Sequence, residues 1–590
     1  MTRLFNEPDA FADEMIAGFV AANRRYVRSV PGGVVRSTRS PQGQVAVVIG
    51  GGSGHYPAFG GLVGQGLAHG AAMGNLFASP ATQQVHQVAR AAQHGAGVLL
   101  SYGNYAGDVL NFDAAQEQLR AEGIACETVT VTDDISSASV AERHKRRGIA
   151  GDLTVFRAAA AAAEAGHDLA DVARVARLAN ERTRSFGVAF TGCTLPGADE
   201  PLFTVPEGRM AVGLGIHGEP GIDETDIPTA DELAERLVGD LLADAELPDG
   251  VDTPRGARVV PILNGLGALK YEELFVVYRR VAELLEVAGV EVVDPHVGEY
   301  CTSFDMAGCS LTLFWLDDEL AELWETPVDT PAYRRGSVVP AELDDSEADA
   351  PGSTDPATPA IPDATPASRE AARTVLAALE TVAATVDAHV DALGRMDAIA
   401  GDGDHGIGMQ RGSHAAVTAA REAVEAGAGA GTTLARAGDG WSHRAGGTSG
   451  ALWGLALREV GAALGDEAAP TRDAVAAGVT AADTGIRSYG KAEVGDKTMV
   501  DALVPFAAAL RREVDAGSRL ADAWATAASE ASVAAAATAD LLPRMGRARP
   551  HAEKSLGTPD PGAHSFALIV TAVGEMLAAA ASAPPKGPSA

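Results

Sequence analysis

The chain has 590 residues, more than one hydrophobic core can hold, and at 46% hydrophobic and 21% charged it has a globular composition that excludes a largely disordered protein. Its formal net charge of −33 repels phosphate backbones and anionic lipid, which argues against nucleic acid and membrane surfaces as partners and requires a cation beside any anionic substrate. Four scattered cysteines, Cys126, Cys193, Cys301 and Cys309, form no CxxC pair, so a disulfide framework is not expected and reduced thiols in a cytoplasmic protein are.

From the N-terminus, short β-branched runs at Val45–Ile49, Val98–Tyr102, Thr128–Val131, Phe186–Phe190 and Val259–Leu263 read as strands. Helical patterns lie between them. In Tyr271–Leu285 the residues Leu274, Val277, Tyr278, Val281 and Leu285 recur at helical spacing. Alternation of this kind predicts an α/β domain of two subdomains over residues 1–340. Residues 341–368 are rich in Asp, Pro, Ala and Thr, with almost no large apolar side chain to offset the entropy of ordering, and read as a linker. Beyond it strand signals nearly vanish. A stripe of Val375, Leu379, Val382, Val386, Val390 and Leu393 is followed by Ala-rich helical stretches at 413–427, 451–464, 471–487, 499–513, 518–540 and 565–582. An all-α domain of roughly eight helices is predicted over 369–582, with a tail at 583–590. Met1–Ala10 has no apolar signal core, and Phe566–Ala580, interrupted by Glu575, is read as too short to span a bilayer.

Three segments of the first domain place chemistry at strand ends. The run Val45–Ile49 enters Gly50-Gly51-Gly52-Ser53-Gly54-His55-Tyr56-Pro57. This is neither a dinucleotide fingerprint nor a P-loop, because the downstream pattern and the Lys-Ser/Thr are missing. The glycines allow close approach of backbone to a small ligand, with His55 at the rim; a solvated turn histidine is the competing reading. Asn104-Tyr105-Ala106-Gly107-Asp108 follows the next strand, at the carboxyl edge where open α/β sheets bind ligands. Gly213-Leu214-Gly215-Ile216-His217-Gly218-Glu219 sets a second histidine among glycines.

The helical half opens with Asp397-Ala398-Ile399-Ala400-Gly401-Asp402-Gly403-Asp404-His405-Gly406. Carboxylates about 4 Å apart repel by roughly 4 kcal/mol at a surface-like dielectric, so three of them on one turn call for a hard cation, Mg²⁺ or Ca²⁺. An acidic connecting turn is the alternative; an EF-hand is not, since Gly408 stands where its last ligand would be. Ala445-Gly446-Gly447-Thr448-Ser449-Gly450 precedes an apolar helix and offers amides and hydroxyls as a phosphate cradle. Gly495-Asp496-Lys497-Thr498-Met499-Val500-Asp501 opens another helix with one cation and one hydroxyl. The near-Walker pattern Gly485…Gly490-Lys491 lacks the hydroxyl, which Ala492 replaces, and has no preceding strand.

Taken in order, Asp-xxx-Gly-Asp-Gly-Asp-His-Gly, Gly-Gly-Thr-Ser-Gly, Gly-Asp-Lys-Thr-Met-Val-Asp and Gly557-Thr558-Pro559-Asp560-Pro561-Gly562 resemble the nucleotide-binding domain of the dihydroxyacetone kinase family. The three N-terminal segments, with Arg147-Gly148-Ile149-Ala150-Gly151 and Ser303-Phe304-Asp305-Met306-Ala307-Gly308, resemble that family's substrate domain. The resemblance implies a barrel of eight helices for the second domain. It implies that Asp397, Asp402 and Asp404 hold two Mg²⁺ ions on ATP. His405, Gly446, Gly447, Thr448, Ser449, Thr498, Met499, Asp560 and Gly562 would contact the nucleotide. His217 would hold the ketose as a covalent hemiaminal, His55 and Asp108 would orient and deprotonate its terminal hydroxyl, and Gly52, Ser53, Gly54, Tyr56 and Gly103 would line the sugar. A domain-exchanged homodimer is also implied.

Two departures stand out. Tyr56 replaces a glutamate usual in the family, and Gly103 replaces a lysine that reaches the bound triose, leaving room for a larger ketose. The resulting expectation is an ATP-dependent kinase of erythrulose that also accepts dihydroxyacetone. The readings set against it are a dihydroxyacetone kinase proper, a subunit phosphorylated by a phosphotransfer protein, and a non-catalytic ketose sensor.

Overall fold

The computed structural model describes residues 4–198, 200–344, 361–399, 401, 403, 405–445, 447–545 and 553–582. It contains two compact units, Met1–Pro356 and Ala357–Ala590.

The first unit holds two large sheets. One is built from β1 (Val27–Val30), β2 (Gly33–Arg36), β3 (Ala46–Ser53), β4 (Gly70–Leu76), β5 (Val98–Gly103) and β6 (Cys126–Val131), in the order β1-β2-β4-β3-β5-β6. Strands β3 to β6 are mutually parallel, and the β1–β2 hairpin joins β4 antiparallel. Every residue of β3 and β5 is buried, as expected of parallel strands covered on both faces. The second sheet is largely antiparallel, with β7 (Thr183–Ala189), β8 (Arg209–Val212), β9 (Asp223–Asp226), β10 (Arg258–Gly265), β11 (Glu291–Val292), β12 (His296–Gly298) and β13 (Gly308–Leu316). Its order is β11-β10-β13-β7-β8-β9, with β12 also on β10.

Helices α1 (Phe11–Ala22), α2 (Thr82–Ala92), α3 (Ala106–Ala121), α4 (Asp152–Glu164), α5 (Leu169–Glu181), α6 (Ala230–Ala243), α7 (Tyr271–Ala288) and α8 (Asp318–Trp324) complete the unit. In α4 the run Ala158–Ala163 is wholly buried, in one core with Val47, Ile49 and Leu99 of the first sheet and Val260, Ile262 and Phe314 of the second. Only methyl side chains let a helix lie this close to neighbours on all sides.

The second unit is all-α among the described residues: α9 (Pro366–Asp387), α10 (Val390–Asp397), α11 (His405–Glu425), α12 (Ala430–Ala445), α13 (Gly447–Leu464), α14 (Arg472–Gly490), α15 (Val500–Asp515), α16 (Leu520–Ala537) and α17 (Pro561–Ser582). Apart from the short α10, each long helix packs on the next, and α17 packs back on α9.

Helix α12 was not foreseen, because Gly431, Gly438 and Gly440 depress helix propensity. The glycines serve packing. A Cβ on Gly438 would lie 2.7 Å from the Gly454 carbonyl oxygen, and one on Gly431 2.7 Å from that of Gly461. Strand β4 was hidden for the same reason: its sequence GAAMGNL carries no β-branched residue, and a Cβ on Gly74 would lie 2.1 Å from the Ala78 carbonyl.

Three expectations need correction. The start of the 341–368 stretch belongs to the first unit, where Arg39 N–H donates to the Glu342 carbonyl and Asp344 N–H to the Ser37 carbonyl. Its end is already helix, with Thr365 Oγ1 capping Ser368 N–H and Pro366 at the first helical position; of the intervening stretch, residues 345–360 lie outside the described residues. Thirdly, Pro561–Ala581, with mean hydropathy 1.5, is long and apolar enough by length and composition to cross a membrane. Here it packs against α9, α15 and α16.

All four cysteines are buried thiols, as expected. The near-Walker segment is the end of α14, with Lys491 as its left-handed C-cap rather than a phosphate loop.

Candidate active site

In the first unit the two predicted histidines meet. His55 follows β3 of one sheet, and His217 lies in the turn between β8 and β9 of the other; their Nε2 atoms are 3.0 Å apart. Both rings are buried and nearly perpendicular, at 85°. Each is held from behind. His55 Nδ1–H donates to the Thr302 carbonyl at 2.7 Å, and His217 Nδ1–H donates to Glu219 Oε1 at 2.9 Å. The other oxygen of Glu219 accepts the His217 backbone N–H at 3.0 Å and lies 3.8 Å from Arg147, which also pairs with Asp134 at 2.7 Å.

This accounting fixes the proton. With both Nδ1 atoms acting as donors, two neutral rings would set lone pair against lone pair, so one proton must sit between the Nε2 atoms. Burial, and next the charge of His217, push His55 down to about 3, partly offset by the Thr302 carbonyl and Glu219.

Aromatic rings fix both imidazoles: Phe77 stacks on His55 with centroids 4.9 Å apart, and Tyr105 meets His217 edge-on at 4.7 Å. Gly54, at φ +105°, makes the turn, and a Cβ there would lie 2.7 Å from the Phe77 ring. Gly52, Ser53 and Gly54 line a small crevice with Met15, Phe19 and Tyr56, next to the histidine pair rather than between its rings. Tyr56 is half exposed, its ring 6.0 Å from Phe19.

Asp108 is buried in the first turn of α3, close enough to Asp152 that their charges interact. Gly103 ends β5, and the space its missing side chain would leave is partly filled. A Cβ there would lie 3.2 Å from both the Gly148 carbonyl oxygen and the Tyr105 ring.

In the second unit, Asp397 ends α10 and accepts the His405 N–H at 3.4 Å. Asp402, Asp404 and Gly446 lie outside the described residues, and among the described residues no three His, Cys, Asp or Glu side chains form a metal cluster. Gly401 nonetheless lies against the Asp397 carboxylate, since a Cβ there would lie 2.4 Å from Asp397 Oδ1. Hard oxygen donors of this kind suit Mg²⁺.

His405 contacts Ser565 Oγ at 2.9 Å and Ser449 Oγ at 3.4 Å, which ties α11, α13 and α17 together. Gly447 and Thr448 begin α13 alongside. Thr498 N–H donates to Asp501 at 2.8 Å, and Met499 caps α15 beside Gly562 of α17. Asp560 accepts the Ala563 N–H at 2.7 Å; burial and the neighbouring Asp397 and Asp501 push it up to about 7, against the pull of that N–H and of Lys497. Lys497, expected to offer a cation, instead buries its ammonium against the Leu541 and Ser555 carbonyls.

The sequence pointed to neither Glu219 nor Thr302, Tyr105, Asp152 or Ser565 as part of either site. Of these, only Glu219 carried a usable signal, its place two residues after a histidine among glycines.

A buried histidine pair between the sheets of one unit and an all-α second unit that carries Asp397 fit a two-part kinase. The Dak1 domain model matches residues 17–332 and the DAK2 domain model residues 399–575. The chain belongs to the dihydroxyacetone kinase family in its fused form, and to its erythrulose kinase branch. It is 61% identical to the L-erythrulose kinase of Pectobacterium atrosepticum over 98% of this chain and 97% of that one. It is 52% identical to the D-erythrulose kinase of Mycolicibacterium smegmatis, over 98% and 99%. The dihydroxyacetone kinase of C. freundii in complex with AMP-PNP and Mg²⁺ has a similar structure, with TM-score 0.51, 28% identity and coverage of 98% of this chain and 99% of that one.

Proposed function

We propose that the chain is an ATP-dependent kinase that phosphorylates a terminal hydroxyl of erythrulose and also accepts dihydroxyacetone. The observation that carries this reading is the His55–His217 pair backed by Glu219, in a chain alike over its full length to erythrulose kinases.

The ketose carbonyl enters by parting the two imidazoles. The shared proton passes to His55, which frees the lone pair on His217 Nε2. That pair bonds to C2, the carbonyl π electrons move onto O2, and O2 takes the proton from His55. His217 is left as an alkylated imidazolium whose Nδ1–H still faces the Glu219 carboxylate, so charge is conserved throughout. A polyol has no carbonyl and cannot make this bond, which gives the site its selectivity. Asp108 then accepts the proton of the terminal hydroxyl as its oxygen attacks the γ-phosphorus of ATP, and the bond to the bridging oxygen of ADP breaks.

Asp397, Asp402 and Asp404 would hold two Mg²⁺ ions, which when bound offset charge on the triphosphate. His405, Gly446, Gly447, Thr448, Ser449, Thr498, Met499, Asp560 and Gly562 would position the nucleotide, within a barrel of eight helices. The assembly proposed is a cytoplasmic homodimer in which the helical unit serves its own or its partner's ketose site. An ATP-coupled assay across ketoses of three to five carbons tests the reading, with erythrulose expected to give the highest kcat/KM and a preference for dihydroxyacetone overturning that assignment.

A further inference from the structure

The segment Tyr300–Phe304 is bonded to both histidine segments. Toward His55, Thr302 N–H donates to the His55 carbonyl at 3.2 Å, Thr302 Oγ–H to the Tyr56 carbonyl at 2.9 Å and Phe304 N–H to the Gly54 carbonyl at 2.9 Å. The His55 Nδ1–H on the Thr302 carbonyl adds the ring itself to these backbone contacts. Toward His217, the Ser303 hydroxyl donates to the carbonyl of Ile216, the residue before that histidine, at 2.5 Å. Ser303 is 0% exposed, so water does not compete for this bond.

The segment is itself anchored to the second sheet. Asn264, buried at the end of β10, accepts the Tyr300 and Cys301 N–H groups on Oδ1 at 2.8 and 3.1 Å, and donates from Nδ2 to the Cys301 carbonyl at 2.8 Å. Ser303 N–H donates to the Leu266 carbonyl, just beyond β10, at 2.8 Å. The Thr302–Ser303 peptide is therefore held at its oxygen by the His55 ring and at its nitrogen by Leu266, and a peptide unit is planar and stiff. A serine carries its hydroxyl one carbon from the backbone, so little play enters between that plane and Ile216.

We propose that Ser303 is a positioning residue for carbonyl capture: its hydroxyl, joined through the Thr302–Ser303 peptide to the His55 ring, locks the His217 loop at the spacing the histidine pair requires. This rests on the ketose kinase reading above and names a residue that serves the same site without touching the sugar. Without the hydroxyl, the His55 ring keeps its Thr302 carbonyl while the Ile216 carbonyl loses its tie. The imidazole that attacks C2 then drifts relative to the one that moves the proton, and displacements well under a bond length are enough to slow a positioned reaction.

The test uses the full chain with Ser303→Ala and with Ser303→Cys, which nearly keeps the shape and donates only weakly. Each is titrated without ATP with C2-labelled erythrulose, the adduct being read in the ¹³C spectrum, and separately with AMP-PNP and Mg²⁺. In Ser303→Ala the ketose concentration that half-fills the adduct should rise about 10- to 100-fold, with a smaller rise in Ser303→Cys and nucleotide affinity unchanged in both. A merely structural serine would lower Tm and the active fraction while the folded molecules captured ketose as before. Unchanged half-saturation in Ser303→Ala overturns the proposal, and Ser303→Cys decides in the same way if the alanine variant does not fold. A wild-type chain that forms no adduct and turns over no ketose sinks the kinase reading and the lock together; a wild-type chain that forms the adduct, with variants forming it equally well, sinks the lock alone.

Discussion

His55 Nε2 and His217 Nε2 lie 3.0 Å apart with both of their far nitrogens already donating, so the two rings share a single proton. In the proposed mechanism His217 is the nucleophile, capped by His55 until a carbonyl separates them. His217→Ala is expected to abolish turnover, and in a ¹³C spectrum with C2-labelled ketose the carbonyl resonance should stay unshifted. Turnover at the wild-type rate would remove the covalent step.

In the proposed mechanism Glu219 balances the charge of the captured sugar. Replacing it with Gln keeps the shape but removes the anion beside the imidazolium, a charged hydrogen bond worth about 1.5–3 kcal/mol. A fall in kcat/KM of about 10- to 100-fold is expected, with partial recovery in Glu219→Asp and a weakened adduct signal. Wild-type kinetics in Glu219→Gln would show that the carboxylate only holds the loop.

Gly103 and Gly148 tolerate different changes. A lysine at 103 must shift the Gly148 carbonyl or the Tyr105 ring, each 3.2 Å from its Cβ, by a few tenths of an ångström. A stability loss of about 1–3 kcal/mol is expected, together with a shift of preference toward dihydroxyacetone. Gly148→Ala meets backbone at 2.4 Å and should cost more. Thermal melts with paired kcat/KM values decide both.

In the helical unit, Asp560 titrates near neutrality, at about 7 against an ordinary 3.8. Because the folded value is the higher one, its contribution to stability is complete below about pH 4 and is lost as pH rises through 7. The nucleotide-free chain should therefore melt lower at pH 8 than at pH 5 on account of this group, and Asp560→Asn should reduce that difference by about 3 °C or more. An identical pH slope in the variant would place the effect elsewhere.

Removing divalent metal with EDTA, or changing Asp397→Ala, should stop phosphoryl transfer while leaving the ¹³C adduct signal of the ketose intact. Loss of the adduct on chelation would mean that the metal serves the sugar site instead.

Much of this was legible from residue order. The run Val98–Tyr102 announced its strand, the stripe from Val375 to Leu393 announced helix but not its break into α9 and α10 at Ala388 and His389, and His55 and His217 stood out because glycine surrounds them. What stayed hidden followed from packing. Strand β4 and helix α12 are made of small residues chosen for close approach, which propensity reads as breaks. Asp152 and Thr302 gain meaning only when distant segments converge, Thr302 through a backbone carbonyl whose identity no side chain encodes. The room expected at Gly103 was misjudged because Gly148, 45 positions on, fills part of it.

The alanine run of α4 has one more consequence. It shares one core with strands of the sheet that carries His55 and of the sheet that carries His217, with no long side chain to flex. The gap between the two imidazoles is thereby set like the jaws of a caliper, and a substrate is measured by its span as well as by its functional groups. A single bulkier residue at Ala160 would change that gauge from a distance, altering which sugars fit without touching any of them.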